Sequence, residues 1–480
     1  MPTYTTEVIQ SLPFDTTPVG QKLIVGLSND LCVSQELNVK FCFEISLFDS
    51  IGGVANDLGV FKTTPNNAGR GILDVSAIID NYVSADNIAS TDSKFKIEGA
   101  YGKPIPMHII DKYSRSDNSV KLVIIRGYTE YTDSSNTIQT TSLVDVLINT
   151  IINGYVKEND LLEWTDATFV GDAFGFGFSL EPYAPVQGSS DGKFLSNSPS
   201  TLYARLEDYG TFAFLAFHDF LNAVSVSVIY YKVNIYDSSG SSLGNFDVER
   251  TEDNGAFDGT TNVGRYSSRI LYIGAFPANL RVNNTFNTHT NDMAFYTIGL
   301  YDNSDVLISE VKRVDILCPN LKGYTPIRLT WLNQFGSWDY FTFNQKSVKK
   351  ISTEGTTYQQ LGGSWDSNNY EPYGYKGGKK SFRVNASETI KMNTDYLTEE
   401  HSEWFEELIN SPEIYILKDW ESPRQEGAAQ TGAILKSMSQ YATPVRLTTT
   451  SFTKKTVAND KLIQFTFEVE KSRNLRTQAI

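Results

Sequence analysis

Metal or acid–base chemistry in this chain would start from four histidines, His108, His218, His289 and His401. No two of them stand at the i, i+2 or i, i+4 spacing that presents two imidazoles to one ion. His401 lies beside Glu400 and Glu403, but on a helix residues two apart do not share a face, so it reads as a surface histidine. Cysteines number three, Cys32, Cys42 and Cys318, an odd count with no Cys-x-x-Cys pair. Neither a disulfide framework nor a zinc site is expected, and Cys42 reads as a buried thiol in a strand. Glycoside cleavage needs two carboxyls facing one sugar bond, ~5–10 Å apart. Asp366, beside Trp365, is the first carboxylate to consider, against a plain turn with Asn368 and Asn369. The glycines of Gly171–Gly177 are followed by no Lys-Ser/Thr, so they read as an aromatic loop, not a phosphate loop. A Gly-x-Ser-x-Gly elbow is missing too. No catalytic residue, metal ligand or cofactor is therefore assigned, and the chain is expected not to be an enzyme.

Binding chemistry is better represented. Trp365, Tyr370, Tyr373 and Tyr375 crowd a stretch that also holds Gly362, Gly363, Gly374, Gly377 and Gly378. Trp and Tyr on such loops anchor protein partners or stack on sugars. Packing on a neighbouring subunit and packing on the chain's own core stand level, with a glycan platform third. Trp331 and Trp338 join this set of candidate contacts. They flank a hairpin in which Arg328–Leu332 and Trp338–Phe343 are strands and Asn333–Ser337 the loop, with Gly336 free to take a positive φ. The two indoles are expected to pack near each other across it.

Strands must carry these residues. Phe41, Phe43, Ile45 and Leu47 alternate with Lys40, Cys42, Glu44 and Ser46, which buries one face and wets the other. Val224, Val226 and Val228 alternate, and Tyr231, Val233 and Ile235 continue one residue out of phase, which predicts a bulge near Ile229-Tyr230. Ile463, Phe465, Phe467 and Val469 form a last alternating strand. Three strands run into an aromatic residue, Asp and a small polar residue: Phe48-Asp49-Ser50, Tyr236-Asp237-Ser238 and Tyr301-Asp302-Asn303. Their recurrence points either to related β-sandwich modules or to shared turn chemistry. Helices are few. Asp74 caps one carrying Val75, Ile78, Ile79 and Tyr82, and Thr398 caps one carrying Trp404, Phe405, Leu408 and Ile409. A third covers Leu143–Ile152.

The expected fold is mainly all-β and multi-domain. It has two β-sandwich modules of immunoglobulin or fibronectin type and a C-terminal α+β module. The boundaries are an arm over 1–18, a sandwich over 19–132, an irregular insertion or interface segment over 133–217, a sandwich over 218–317 and the α+β module over 318–480. With 480 residues the chain exceeds one core, and 28 Phe and 26 Tyr suit pleated surfaces. The formal charge of −15 repels phosphate, so no nucleic-acid partner is expected. Neither a signal peptide nor an apolar run of about 18 residues is visible, so no membrane is expected and synthesis in a reducing cytoplasm is.

The run Arg328–Phe343, RLTWLNQFGSWDYFTF, with its lead-in Cys318-Pro319, resembles a hairpin of virion structural proteins of tailed bacteriophages of Bacteroidota, crAss-like phages included. Two further segments resemble them: Leu397-Thr398-Glu399-Glu400 with Leu408–Pro412 and Tyr415, and Lys193–Pro199. The resemblance implies a tail, neck or baseplate component that assembles into a ring or sleeve, with copies of itself and other virion proteins as partners. It implies a place in the virion, reached from the host cytoplasm, and no catalytic residue. The alternative is a receptor or glycan binder at a tail tip, working through Trp365–Tyr375 on a host surface polysaccharide. A glycan-degrading enzyme is a third reading.

Overall fold

A computed structural model of the chain describes residues 4–49, 54–89, 106–168, 173–185, 188–216, 230–249, 269–302, 304–317, 323–364, 368–418, 442–449, 463–473 and 475–476. The protein is mostly β, arranged in several separate sheets. Its described residues divide into two compact units. One holds those up to Leu317 together with Leu332–Asp339; the other holds residues 323–331 and those from Tyr340 on.

The first unit contains two sandwiches. In one, β1 (Glu7–Gln10), β3 (Ile24–Ser28) and β6 (Arg70–Asp74) form a three-stranded sheet in the order β1-β3-β6. A larger sheet is built from β2 (Thr16–Gly20), β10 (Val144–Tyr155), β8 (Val120–Thr132), β4 (Leu37–Phe48) and β5 (Asn56–Thr63), in that order, with β9 (Ile138–Thr140) also on β8. Val25 and Leu27 of the small sheet share one core with Phe41, Phe43, Ile45 and Leu47 of the large one, as the alternation requires. Cys42 is buried on the other face, and burial pushes its thiol pKa up.

In the second sandwich the larger sheet runs β13 (Thr201–Ala204), β19 (Lys312–Ile316), β18 (Phe295–Tyr301), β15 (Tyr230–Tyr236), β16 (Ser242–Glu249). The smaller runs β14 (Thr211–Ala216), β17 (Arg269–Gly274), β7 (Tyr113–Arg115). Two tyrosines span the layers. Tyr231 donates its hydroxyl to the Gly274 carbonyl at 3.1 Å and Tyr296 to that of Ala275 at 2.9 Å. A separate two-stranded ribbon, β11 (Leu162–Asp166) with β12 (Ala173–Gly177), completes the unit.

Several expectations need correction. Leu143–Ile152 is not a helix but most of β10. Its residues Val144, Val146, Ile148, Thr150, Ile151 and Ile152 are stiff at Cβ and suit the sheet between β2 and β8. The segment 133–217, expected to be irregular, supplies β9 and β10 to the first sandwich and β13 and β14 to the second. The arm over 1–18 supplies β1 and part of β2, and β7, inside 19–132, pairs with β17. The segment boundaries therefore do not follow the sheets. Val224–Ile229 lies outside the described residues, and with it half of the expected bulge; from Tyr230 on, β15 buries Tyr231, Val233 and Ile235 completely.

One turn recurs. At Asn66, Asp133, Asp237, Asp302 and Asn333 the side-chain Oδ1 accepts the backbone N–H groups two and four residues on, at 2.8–3.1 Å. The residue three on takes a positive φ in each: Gly69, Asn136, Gly240, Asp305 and Gly336. This is a type I turn closed by a left-handed residue, with an Asx side chain capping it. Shared turn chemistry explains the Asp237 and Asp302 recurrence, because β15 and β18 are neighbours in one sheet rather than matching strands of two modules. Ser50 and Asn303 lie outside the described residues.

The second unit is the expected α+β module. Its sheet runs β21 (Trp338–Phe343), β20 (Ile327–Leu332), β24 (Ile414–Leu417), β25 (Ala442–Leu447), β26 (Thr466–Lys471), β23 (Gly378–Asn393), β22 (Val348–Gln360), with β27 (Leu475–Arg476) also on β23. The helix Glu400–Asn410 lies on it. Phe405 is packed among Phe341, Phe465 and Phe467 at ring separations of 5.0–5.4 Å. Burying such a side chain stabilises the fold by ~1.5–3 kcal/mol.

Candidate interaction site

The six aromatic candidates fall into two environments. Trp331 and Trp338 are buried, and they do not pack on each other. Trp331 lies against Trp404 at 5.0 Å. Trp338 instead meets His108 edge-on at 5.0 Å and donates its indole N–H to the Asp86 carbonyl at 2.9 Å. The Asp86 carboxylate in turn accepts the amides of Asp117 and Asn118 and the Ser119 hydroxyl. Burial raises its pKa, and those hydrogen bonds oppose the rise. The loop between the tryptophans is also seated: Asn333 Nδ2 donates to the Leu195 carbonyl at 2.8 Å, and a Cβ on Gly336 would run into the Asn153 carbonyl. Both tryptophans are core residues, which removes them from the set of surface contacts.

Tyr370, Tyr373 and Tyr375 behave otherwise. They sit in the loop joining β22 to β23, where Tyr370 is 55% and Tyr375 70% exposed. Tyr373 and Tyr375 stack at 5.6 Å, with the Lys376 ammonium 5.3 Å from the Tyr373 ring. The Tyr373 hydroxyl donates to Glu371 at 2.6 Å, which raises the phenol pKa. Gly363, at φ +71°, brings the backbone close under the Tyr370 ring. Trp365 and Asp366 lie outside the described residues.

Below this tip the two strands form a long ribbon. β22 pairs with β23 from Val348↔Lys391 to Gln360↔Gly378, and it is exposed at all but two of its thirteen residues. Ile351 and Phe382 stand 62% and 53% exposed. Lys349, Lys350, Lys379 and Arg383 are exposed as well and form no ion pair with described residues. Sequence reasoning found the tip and missed this stem. Its signal was a local excess of base: residues 348–393 carry seven Lys/Arg against four Asp/Glu, net +3 in a chain of −15.

The second aromatic stretch, Phe174–Phe178, was expected as a packed or mobile loop. Up to Gly177 it is part of β12, and its register with β11 sorts the side chains. Trp164, Gly175, Ala173 and Gly177 share one face, where Trp164 packs on the first sandwich core. Glu163, Thr165, Phe174 and Phe176 share the other, with Phe174 61% and Phe176 58% exposed.

No group of three or more His, Cys, Asp or Glu among the described residues is placed to hold a metal ion. His401 is buried, not on the surface, with Nδ1 3.0 Å from the Thr398 hydroxyl, and burial lowers its pKa to about 4. No described helix is long and apolar enough to cross a membrane.

No family model and no curated protein sequence matches the chain. Similar solved structures include E. coli alpha-2-macroglobulin in its native conformation, at 9% identity and a TM-score of 0.20, covering 81% of this chain and 22% of that one. The chain thus spans less than a quarter of that protein's length.

Proposed function

We propose that this protein is a non-enzymatic structural component of a bacteriophage virion, in its tail, neck or baseplate, and acts by subunit assembly. The carrying observation is the β22–β23 ribbon, in which the thirteen-residue β22 is an edge among the described strands, exposed at all but two residues, with tyrosines in the loop at its tip. A long open edge templates pairing with another chain unless it is covered, so such a strand marks a surface that assembly uses. The rigid sandwiches supply shape, and the resemblance of the Arg328–Phe343 hairpin supplies the virion context. Partners are further copies of the chain and other virion proteins. Negative-stain imaging of the purified protein, alone and mixed with phage particles, tests the reading. Rings, sleeves or decorated particles support it; dispersed monomers that decorate nothing contradict it.

A second reading is favoured by the stacked Tyr373–Tyr375 pair, in which Tyr375 is exposed and Tyr373 half-buried. The exposed Tyr375 ring at a loop tip offers a face to a sugar ring, as a host-glycan binder at a tail tip requires. Binding of host surface polysaccharide that is lost in Tyr373→Ala and Tyr375→Ala would support it.

A further inference from the structure

We propose that the basic β22–β23 ribbon of one copy docks on the outer face of the β11–β12 ribbon of a second copy, an inference that rests on the assembly reading above. The two surfaces complement each other in charge. Between Glu158 and Asp191 the chain holds seven Asp/Glu and no Lys or Arg. Within that acidic segment Phe174 and Phe176 stand outward beside Glu163, while Trp164 holds the ribbon to its own core. On the other ribbon the pairing register puts Lys349 and Lys379 on the face of Ile351 and Lys350 and Arg383 on the opposite face, all of them exposed.

The docking surfaces share a second property. Each presents apolar side chains more than half exposed, and β11 and β12 pair with no other described strand. An isolated pair of strands is marginal in water, so the β11–β12 ribbon gains from being covered. Length also fits: at ~3.3 Å per residue a thirteen-residue strand can lie along the whole of a five-residue one. Exposed phenylalanines and isoleucine supply burial, and the charges supply steering and register.

Because the two patches differ, the contact is head-to-tail. Such contacts close into rings when the rotation per subunit divides a full turn and otherwise extend as filaments.

A charge exchange tests this. One variant carries Lys349→Glu, Lys350→Glu and Lys379→Glu; the other carries Glu158→Lys, Asp160→Lys and Glu163→Lys. Each puts like charge on like, so each alone is expected to run as a monomer in light scattering, with unchanged circular dichroism. An equimolar mixture offers opposite charges at both junctions and is expected to regain the wild-type mass. Adding salt weakens the wild-type assembly. Phe174→Ser with Phe176→Ser, at exposed positions, is expected to reduce assembly and serves if a charge variant misfolds.

A wild type that assembles while all variants assemble equally overturns this contact and leaves the assembly reading standing. A mixture that stays monomeric overturns it too. A wild type that never self-associates removes both, and its retention on a heparin matrix would assign the basic ribbon to a foreign polyanion.

Discussion

The hairpin tips at Asn333–Ser337 and at Leu361–Gly377 are alike in composition and opposite in fate. Both are rich in aromatics and glycine, and both join strands of one sheet. The first is short, is closed by the Asn333 side chain and has every residue buried. The second is long and leaves Tyr370 and Tyr375 in solvent. Aromatic density alone does not separate a wedge from a contact surface. In the first, the Asn333 side chain satisfies the Phe335 and Ser337 amides, which lets that loop be buried.

The sharpest contrast comes from truncating one ring in each tip. Trp338→Ala removes a buried indole and is expected to cost about 3–5 kcal/mol, whereas Tyr375→Ala is expected to change stability by less than about 0.5 kcal/mol. Denaturant titration read by circular dichroism distinguishes them, and equal costs would break the comparison.

Glycines give the next test. Gly336 has φ +74° and its Cβ position is filled by Asn153 backbone, so Gly336→Ala combines strain and overpacking, about 2–5 kcal/mol. Gly378 has φ +79° but open space around it, so Gly378→Ala is expected to cost only the strain, about 1–2 kcal/mol. The difference in their unfolding midpoints is the measure.

Acid loads the buried side reversibly. His401 lies 6.2 Å from Trp404, the indole on which Trp331 packs, and its folded pKa of about 4 is below the unfolded 6.5. The unfolded chain therefore binds the proton more readily. The stabilisation is complete above pH 6.5 and is lost as pH falls towards 4, on the order of 3 kcal/mol. His401→Gln is expected to flatten that part of the stability profile, and an unchanged slope would contradict the buried neutral imidazole.

Much of the fold was legible in the chain, for physical reasons. Alternation exposed β4 and the strand through Phe467, and the Asn333 hairpin with its positive-φ Gly336 followed from turn chemistry. The helix under Trp404 and Phe405 followed from its apolar stripe. What escaped was set by tertiary partners. Whether Trp331 meets Trp338 depends on Trp404 and His108, distant in sequence. The fate of Leu143–Ile152 was decided by β2 and β8 at its sides, where a short apolar run alone does not distinguish helix from strand. Of the candidate contacts, the tyrosine tip was visible as composition, while the β22 stem was not, because a strand wet on both faces has no alternation to read.

Under the proposed function, the exposed ribbon would make this protein an assembling subunit. Light scattering on the purified protein at low salt, over a concentration series from micromolar upward, tests it most directly. A discrete oligomer whose mass falls to that of one chain in the Lys349→Glu, Lys350→Glu, Lys379→Glu variant is the expected result. A wild type with the mass of one chain at every concentration would contradict it.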